Sequence, residues 1–173
     1  MAVATRIPIE LYLGHSLDFE TDPDYVDGEL VERPMGEYDH ATWQQAIQQW
    51  FLLHAKEWNI RVRPELRVQI SPTRYRVADV VVFDRALPIE PYLTHPPIAV
   101  FEVLSPEDRI NRVLVRLKDF EQIGIKTILV IDPDTQTIYR YLAGSLETSH
   151  ESTLALEGSP CWIDWPSLRD LLD

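Results

Sequence analysis

The chain has 173 residues, 45% apolar and 25% charged, the proportions of a globular domain large enough to bury a full core. No apolar run approaches the roughly 18 residues needed to cross a bilayer, the N-terminal "MAVATRIPIELYLGH" lacks the basic and apolar segments of a leader, and one cysteine, Cys161, can build neither an internal disulfide nor a thiolate metal cluster. A membrane-spanning helix and an internal disulfide are excluded, a cytoplasmic protein is expected, and the formal net charge of −12 opposes indiscriminate binding to a phosphate backbone.

In chain order, "DYVDGELVER" predicts a short hairpin, because Asp27-Gly28 is a turn dipeptide between extended flanks. "YDHATWQQAIQQWFLLHAKEW" predicts a helix with Asp39 as its cap, on which Trp43, Ile47, Trp50, Phe51 and His54 share a face. Three strands are expected next, in "NIRVRPELRVQI", "YRVADVVVF" and "PIAVFEVL". The helix "SPEDRINRVLVRLKDFEQIG" follows, with Ser105 as N-cap, Pro106 at its first position, Glu107 and Asp108 at the positive end of the dipole and Gly124 as its stop. Ile110, Val113, Leu114, Leu117 and Phe120 form its apolar stripe. "IKTILVIDP" and "TIYRYLA" read as strands around the turn "DPDT". A polar, weakly patterned stretch and a closing helix in "WPSLRDLL" complete the chain. There is no internal repeat, and one domain over residues 1–173 is expected. Near-continuous apolar strands on both sides of a helix form a β-α-β unit covered on both faces, so the fold class is α/β, or α+β with a mixed sheet.

Two of the apolar runs carry one carboxylate each, Asp79 in "ADVVVF" and Glu102 in "PIAVFEVL". A buried carboxylate is costly unless a cation or strong donors meet it. On adjacent strands the pair could offer several hard oxygens to Mg²⁺ or Mn²⁺, which suits phosphodiester hydrolysis. The simpler alternative is two strand-end acids facing solvent or paired with arginines. On the following helix Arg109, Arg112 and Arg116 recur three and four apart as a basic stripe beside the apolar face, with Lys118 at its opposite border. A cation leaning from this helix toward Glu102 could stabilise the transition-state charge; a solvated basic face is the alternative.

The ordered set "YRVADVVVF…PIAVFEVLSPEDRINRVLVRLKDFEQIGIKTILVIDP", with "DGELVE" and "HATWQQAIQQW" upstream, resembles the bacterial putative restriction endonuclease family, a domain of unknown function within the PD-(D/E)XK nuclease superfamily, over roughly residues 18 to 142. The resemblance implies a restriction-endonuclease-like mixed β-sheet core flanked by helices, with an N-terminal hairpin. It makes Asp79 and Glu102 metal ligands, with the Val103 carbonyl a third, for Mg²⁺ or Mn²⁺. Glu29 matches an upstream glutamate expected near the metal, or is an ordinary hairpin residue; His40 matches the histidine opening the next helix, for which capping or packing is expected. Ala78 replaces the motif proline, which binds no metal. Leu104 stands where the superfamily has a lysine, and the helical position that takes over that lysine is Arg116, with Lys118 the only lysine nearby. Arginine keeps the charge but cannot act as a base near neutral pH.

What the resemblance implies is a Mg²⁺-dependent endonuclease acting on DNA, with catalytic residues drawn from Asp79, Glu102, Arg116, Lys118 and Glu29, working as a homodimer without a membrane partner. The alternatives are a nuclease fold kept as a DNA-binding or protein-interaction module, favoured by Arg116 and the acidic charge, and a protein whose aromatic helix serves a homodimer interface.

Overall fold

The computed structural model describes residues 6–14 and 17–172; residues 1–5, part of the segment read as leaderless, lie outside them. In chain order the elements are α1 (Ile9–Leu13), β1 (Asp24–Val26), β2 (Glu29–Val31), α2 (Tyr38–His54), β3 (Ile60–Ser71), β4 (Arg74–Asp84), β5 (Ala99–Val103), α3 (Ile110–Gln122), β6 (Thr127–Asp132), β7 (Thr137–Leu142), β8 (Ser145–Thr148), β9 (Thr153–Ala155), β10 (Trp162–Asp164) and α4 (Trp165–Arg169).

Strands β1 to β8 form one mixed sheet in the order β2-β1-β4-β5-β6-β7-β8, with β3 antiparallel on β4. Among the paired strands described, β5 and β6 run parallel, joined through α3 as the β-α-β reading requires. One edge of β4 has two partners in succession. Tyr25 and Val26 of β1 pair with Tyr75 and Arg74, and Phe101, Val100 and Ala99 of β5 pair with Val80, Val81 and Val82. Between them, at Val77–Asp79, the sheet forks.

Both faces are buried. Trp43, Ile47, Trp50 and Phe51 of α2 pack on Val80, Val82, Phe101, Leu129 and Ile131, with Trp165 and Leu168 of α4. On the other face Val113, Leu117 and Phe120 of α3 cover Val81, Val100, Ile128 and Val130. Ala78 joins this second cluster with Val81 and Phe83, so the period-2 alternation of β4 breaks at Asp79. Opposite the break stands Glu65, between the paired residues Pro64↔Val80 and Leu66↔Ala78, with a left-handed φ of +49°.

Both helix starts differ from the sequence reading. Helix α2 begins at Tyr38 behind Glu37, with no side-chain cap, so Asp39 lies inside its first turn. Helix α3 begins at Ile110. Ser105 and Asp108 close a turn on each other instead, the Ser105 N–H donating to Asp108 Oδ2 at 2.7 Å and the Asp108 N–H to the Ser105 carbonyl at 2.9 Å, which holds Pro106 and Glu107 outside the helix. Ile110, at the frayed start, is exposed. Helix α1 and strands β8, β9 and β10 have no counterpart in the sequence reading.

Candidate active site

The fork in the sheet leaves backbone groups without strand partners, and charged side chains take them. Asp24 Oδ1 accepts the Val77 N–H at 2.8 Å, and Arg116 Nη2 donates to the Val77 carbonyl at 2.7 Å. Asp24 is fully buried, with Arg76 Nη1 at 2.9 Å and Arg116 Nε at 3.3 Å from its Oδ2. Arg76 also pairs with Asp119 of α3, which in turn holds Arg74.

Asp79 and Glu102 sit in this fork, opposite one another one step beyond the last paired residues, Val80 and Phe101. Both are buried, at 4% and 3% exposure. Their surroundings differ. Asp79 Oδ2 accepts the Val103 N–H at 2.7 Å and lies 3.3 Å from His40 Nε2, while its Oδ1 accepts from Arg33 Nη2 at 2.5 Å. Burial alone would raise its pKa, but the His40 hydrogen bond and the Arg33 charge outweigh that and hold it below the usual carboxylate range. His40 is shifted the other way: burial opposes its charged form, yet the bond to Asp79 holds its pKa above the ordinary imidazole value.

Glu102 has one cation, Arg116 Nη2, at 2.9 Å from Oε2. Among the described residues its buried Oε1 has no hydrogen-bond partner. Burial pushes its pKa up to about 8, the Arg116 guanidinium offsetting this only in part and the neighbouring Asp79 adding to it.

A second layer fixes the first. Gln44, one helical turn after His40, donates through Nε2 to the Asp79 carbonyl and to Glu65 Oε1, both at 2.8 Å. Glu65 Oε2 in turn accepts from Arg33 Nη1. Beside the fork, between the β1–β2 hairpin and α3, opens a cleft of about 770 Å³ whose lining includes Arg33, Arg76, Arg109, Arg112 and Arg116. Asp24, Glu32, Glu107 and Asp108 line it too, and Arg33, Arg76 and Arg116 are already paired with carboxylates, which leaves Arg109 and Arg112 exposed on its wall.

Of the residues singled out in the sequence, the structure gathers Asp79, Glu102, Arg116 and the Val103 backbone, the last through its N–H. Lys118 is exposed on α3 and makes no ion pair among the described residues. Glu29 is exposed beside the hairpin turn and pairs in register with Val26, at the end of the hairpin bonded to Arg74 rather than to the fork. The acid that β1 brings to the fork is Asp24. His40 neither caps α2 nor simply packs; it bonds Asp79. Sequence reasoning passed over Asp24, Arg33, Gln44 and Glu65. The one available signal was the i, i+4 spacing of His40 and Gln44 at the start of a helix whose apolar face is offset from them.

Two carboxylates, one with an oxygen left partnerless, are hard donors, a set that suits Mg²⁺ or Mn²⁺ with water and substrate completing the shell. Among the described residues no group of three or more His, Cys, Asp or Glu is placed to hold a metal ion by itself. Nor is any helix among them long and apolar enough to cross a membrane.

Residues 14–164 match the family described as "Putative restriction endonuclease". No curated protein matches the chain. Among solved structures, one described as a putative nuclease of the family DUF820 from Anabaena variabilis superposes with a TM-score of 0.74 at 22% identity, covering 92% of this chain and 97% of its own. That likeness establishes a shared fold. A DrdV–DNA complex overlaps with a TM-score of 0.40 at 15% identity, over 76% of this chain and 11% of its own, too slight to carry an argument.

Proposed function

Because this chain belongs to the putative restriction endonuclease family, we propose that it is a Mg²⁺- or Mn²⁺-dependent endonuclease that hydrolyses phosphodiester bonds of DNA at the fork. The observation that carries the reading is the buried pair Asp79 and Glu102, facing across β4 and β5 with Glu102 Oε1 unpartnered. Asp79, Glu102 and the Val103 carbonyl would hold the ion, which when bound would supply Lewis acidity to the phosphodiester.

The chain's own groups do the rest. Arg116 is fixed by Glu102, Asp24 and the Val77 carbonyl, so its charge is preorganised to stabilise negative charge building on a phosphate. It cannot take a proton, so the proton of the attacking water leaves by another acceptor. Arg109 and Arg112, exposed on α3 along the cleft, would meet the phosphates of the substrate backbone.

The test is cleavage of duplex DNA by the purified protein. Mg²⁺ or Mn²⁺ supports cleavage, and EDTA or Asp79→Ala reduces it to background. Failure with both ions overturns the reading. One feature favours a second reading, a binding module without catalysis: Arg116 in the lysine position. That reading expects DNA binding which persists in EDTA, weakens with salt and is never followed by cleavage.

A further inference from the structure

Asp79 already has a cation. Arg33, from the segment after β2, enters the fork with its side chain only 8% exposed and spans two carboxylates, Nη1 on Glu65 Oε2 and Nη2 on Asp79 Oδ1. The other Asp79 oxygen is engaged by the Val103 N–H and His40. The edge of Asp79 that a divalent ion needs is therefore the edge that Arg33 covers. A guanidinium and a divalent ion repel and cannot both take it.

Resting on the reading of Asp79 and Glu102 as metal ligands, we infer that Arg33 is the resident counter-cation of the metal-free site: a divalent ion binds by displacing it from Asp79, and Glu65 retains it in the cleft. Three observations support the exchange. Among the described residues Arg33 Nε is buried without a partner, so the guanidinium is held through its Nη atoms alone, Nη1 also donating to the Asp22 carbonyl at 3.5 Å. Glu65 is 45% exposed, a partner that Arg33 keeps when it leaves Asp79. Glu65 also adopts a left-handed backbone between two paired strand residues, with Gln44 bracing its other oxygen. Local strain of this kind persists where surrounding contacts over-determine a side chain's position. Displaced, the guanidinium joins Arg109 and Arg112, which line the same cleft.

Metal affinity is then reduced by the work of parting Arg33 from Asp79, and removing that competitor tightens binding even though it weakens the metal-free fold. Mn²⁺ is titrated into the metal-free full chain by calorimetry and by Mn²⁺ electron paramagnetic resonance. Arg33→Gln should lower the metal-free melting temperature yet lower the Mn²⁺ dissociation constant by roughly tenfold. Arg33→Lys, which keeps the charge, should stay within about threefold of the wild type, and Asp79→Asn should lose the site. Binding by Arg33→Gln that equals or falls below the wild type, while Asp79→Asn still abolishes it, overturns the exchange and leaves the metal site standing. Saturable Mn²⁺ binding that is absent from the wild type, or indifferent to Asp79→Asn, overturns the metal site and the exchange together. Should Arg33→Gln not fold, the Arg33 Nε–H resonance in the wild type, assigned by its loss in Arg33→Lys, decides the matter. Saturating Mg²⁺ shifts it if the guanidinium moves, and an unshifted resonance rejects the exchange.

Discussion

On the edge of β4 that β1 and β5 share, Val77 falls between the two strands, and Asp24 and Arg116 bond its N–H and carbonyl in their place. The same Arg116 neutralises Glu102. Glu102 is in turn the group whose titration the fold distorts most legibly. Its pKa rises from 4.5 in the unfolded chain to about 8 in the folded one. Between those values the folded state holds a proton that the unfolded state has released, so stability falls as pH rises through this window and levels off above it. The metal-free wild type should therefore lose stability relative to Glu102→Gln from pH 4.5 to 8, with little further change above. Urea unfolding of both proteins across that range measures the difference; a flat difference would mean that Glu102 ionises normally. Asp79 and Glu102 were legible in the sequence because a lone carboxylate in an apolar strand is costly. Arg33, Glu65 and Gln44 were not, because each lies in a polar stretch where a charged or amide residue is unremarkable, and only the pairing of β3 with β4 and the docking of α2 bring them to Asp79.

The helices divide their work along their length. The first turns of α2 hold His40 and Gln44 over the site, while Trp43, Ile47, Trp50 and Phe51 anchor the helix on Phe101, Leu129 and Ile131. Phe51 is fully buried and stacks obliquely on Phe101, their ring centroids 5.4 Å apart. Phe51→Ala should cost about 3–5 kcal/mol by chemical denaturation, through lost burial and the cavity left behind. A loss under about 1 kcal/mol would show that α2 repacks freely and so could not position His40. The periodic interiors of α2 and α3 could be read from sequence, but their first turns could not. "SPED" carries every local sign of a helix start, yet Asp108 bonds back to Ser105 and closes a separate turn before α3 begins. Local side-chain bonds compete with the helix for the same residues.

At the scale of the molecule, a chain of net charge −12 presents a cleft where five arginines stand among four acids, with Arg109 and Arg112 exposed. Binding of a nucleic acid there should depend steeply on salt, since each neutralised phosphate releases counterions. Changing Arg109 and Arg112 together to alanine should flatten the slope of log affinity against log salt by about 2 on duplex DNA, with the fold unaffected because both side chains are exposed. An unchanged slope in a fluorescence-anisotropy titration would place the phosphates elsewhere. The sheet's core was legible because β4, β5 and β6 are near-continuous apolar runs. Strands β8, β9 and β10 were not, since they are short, carry one or no buried residue each, and owe their form to neighbours such as Trp50, whose Nε1–H bonds the Trp162 carbonyl.

The divided edge of β4 bears on how such a chain can change over generations. Asp24 and Arg116 plug a gap in the main chain, so a descendant that abandoned chemistry altogether would still be obliged to keep them or unfold. An acid at position 24 and a cation at position 116 would therefore mark architecture wherever a relative kept them. Glu102 is different: its second oxygen supports nothing in the scaffold and its charge is a burden there, so a lineage freed from metal should shed it early for glutamine or an apolar residue.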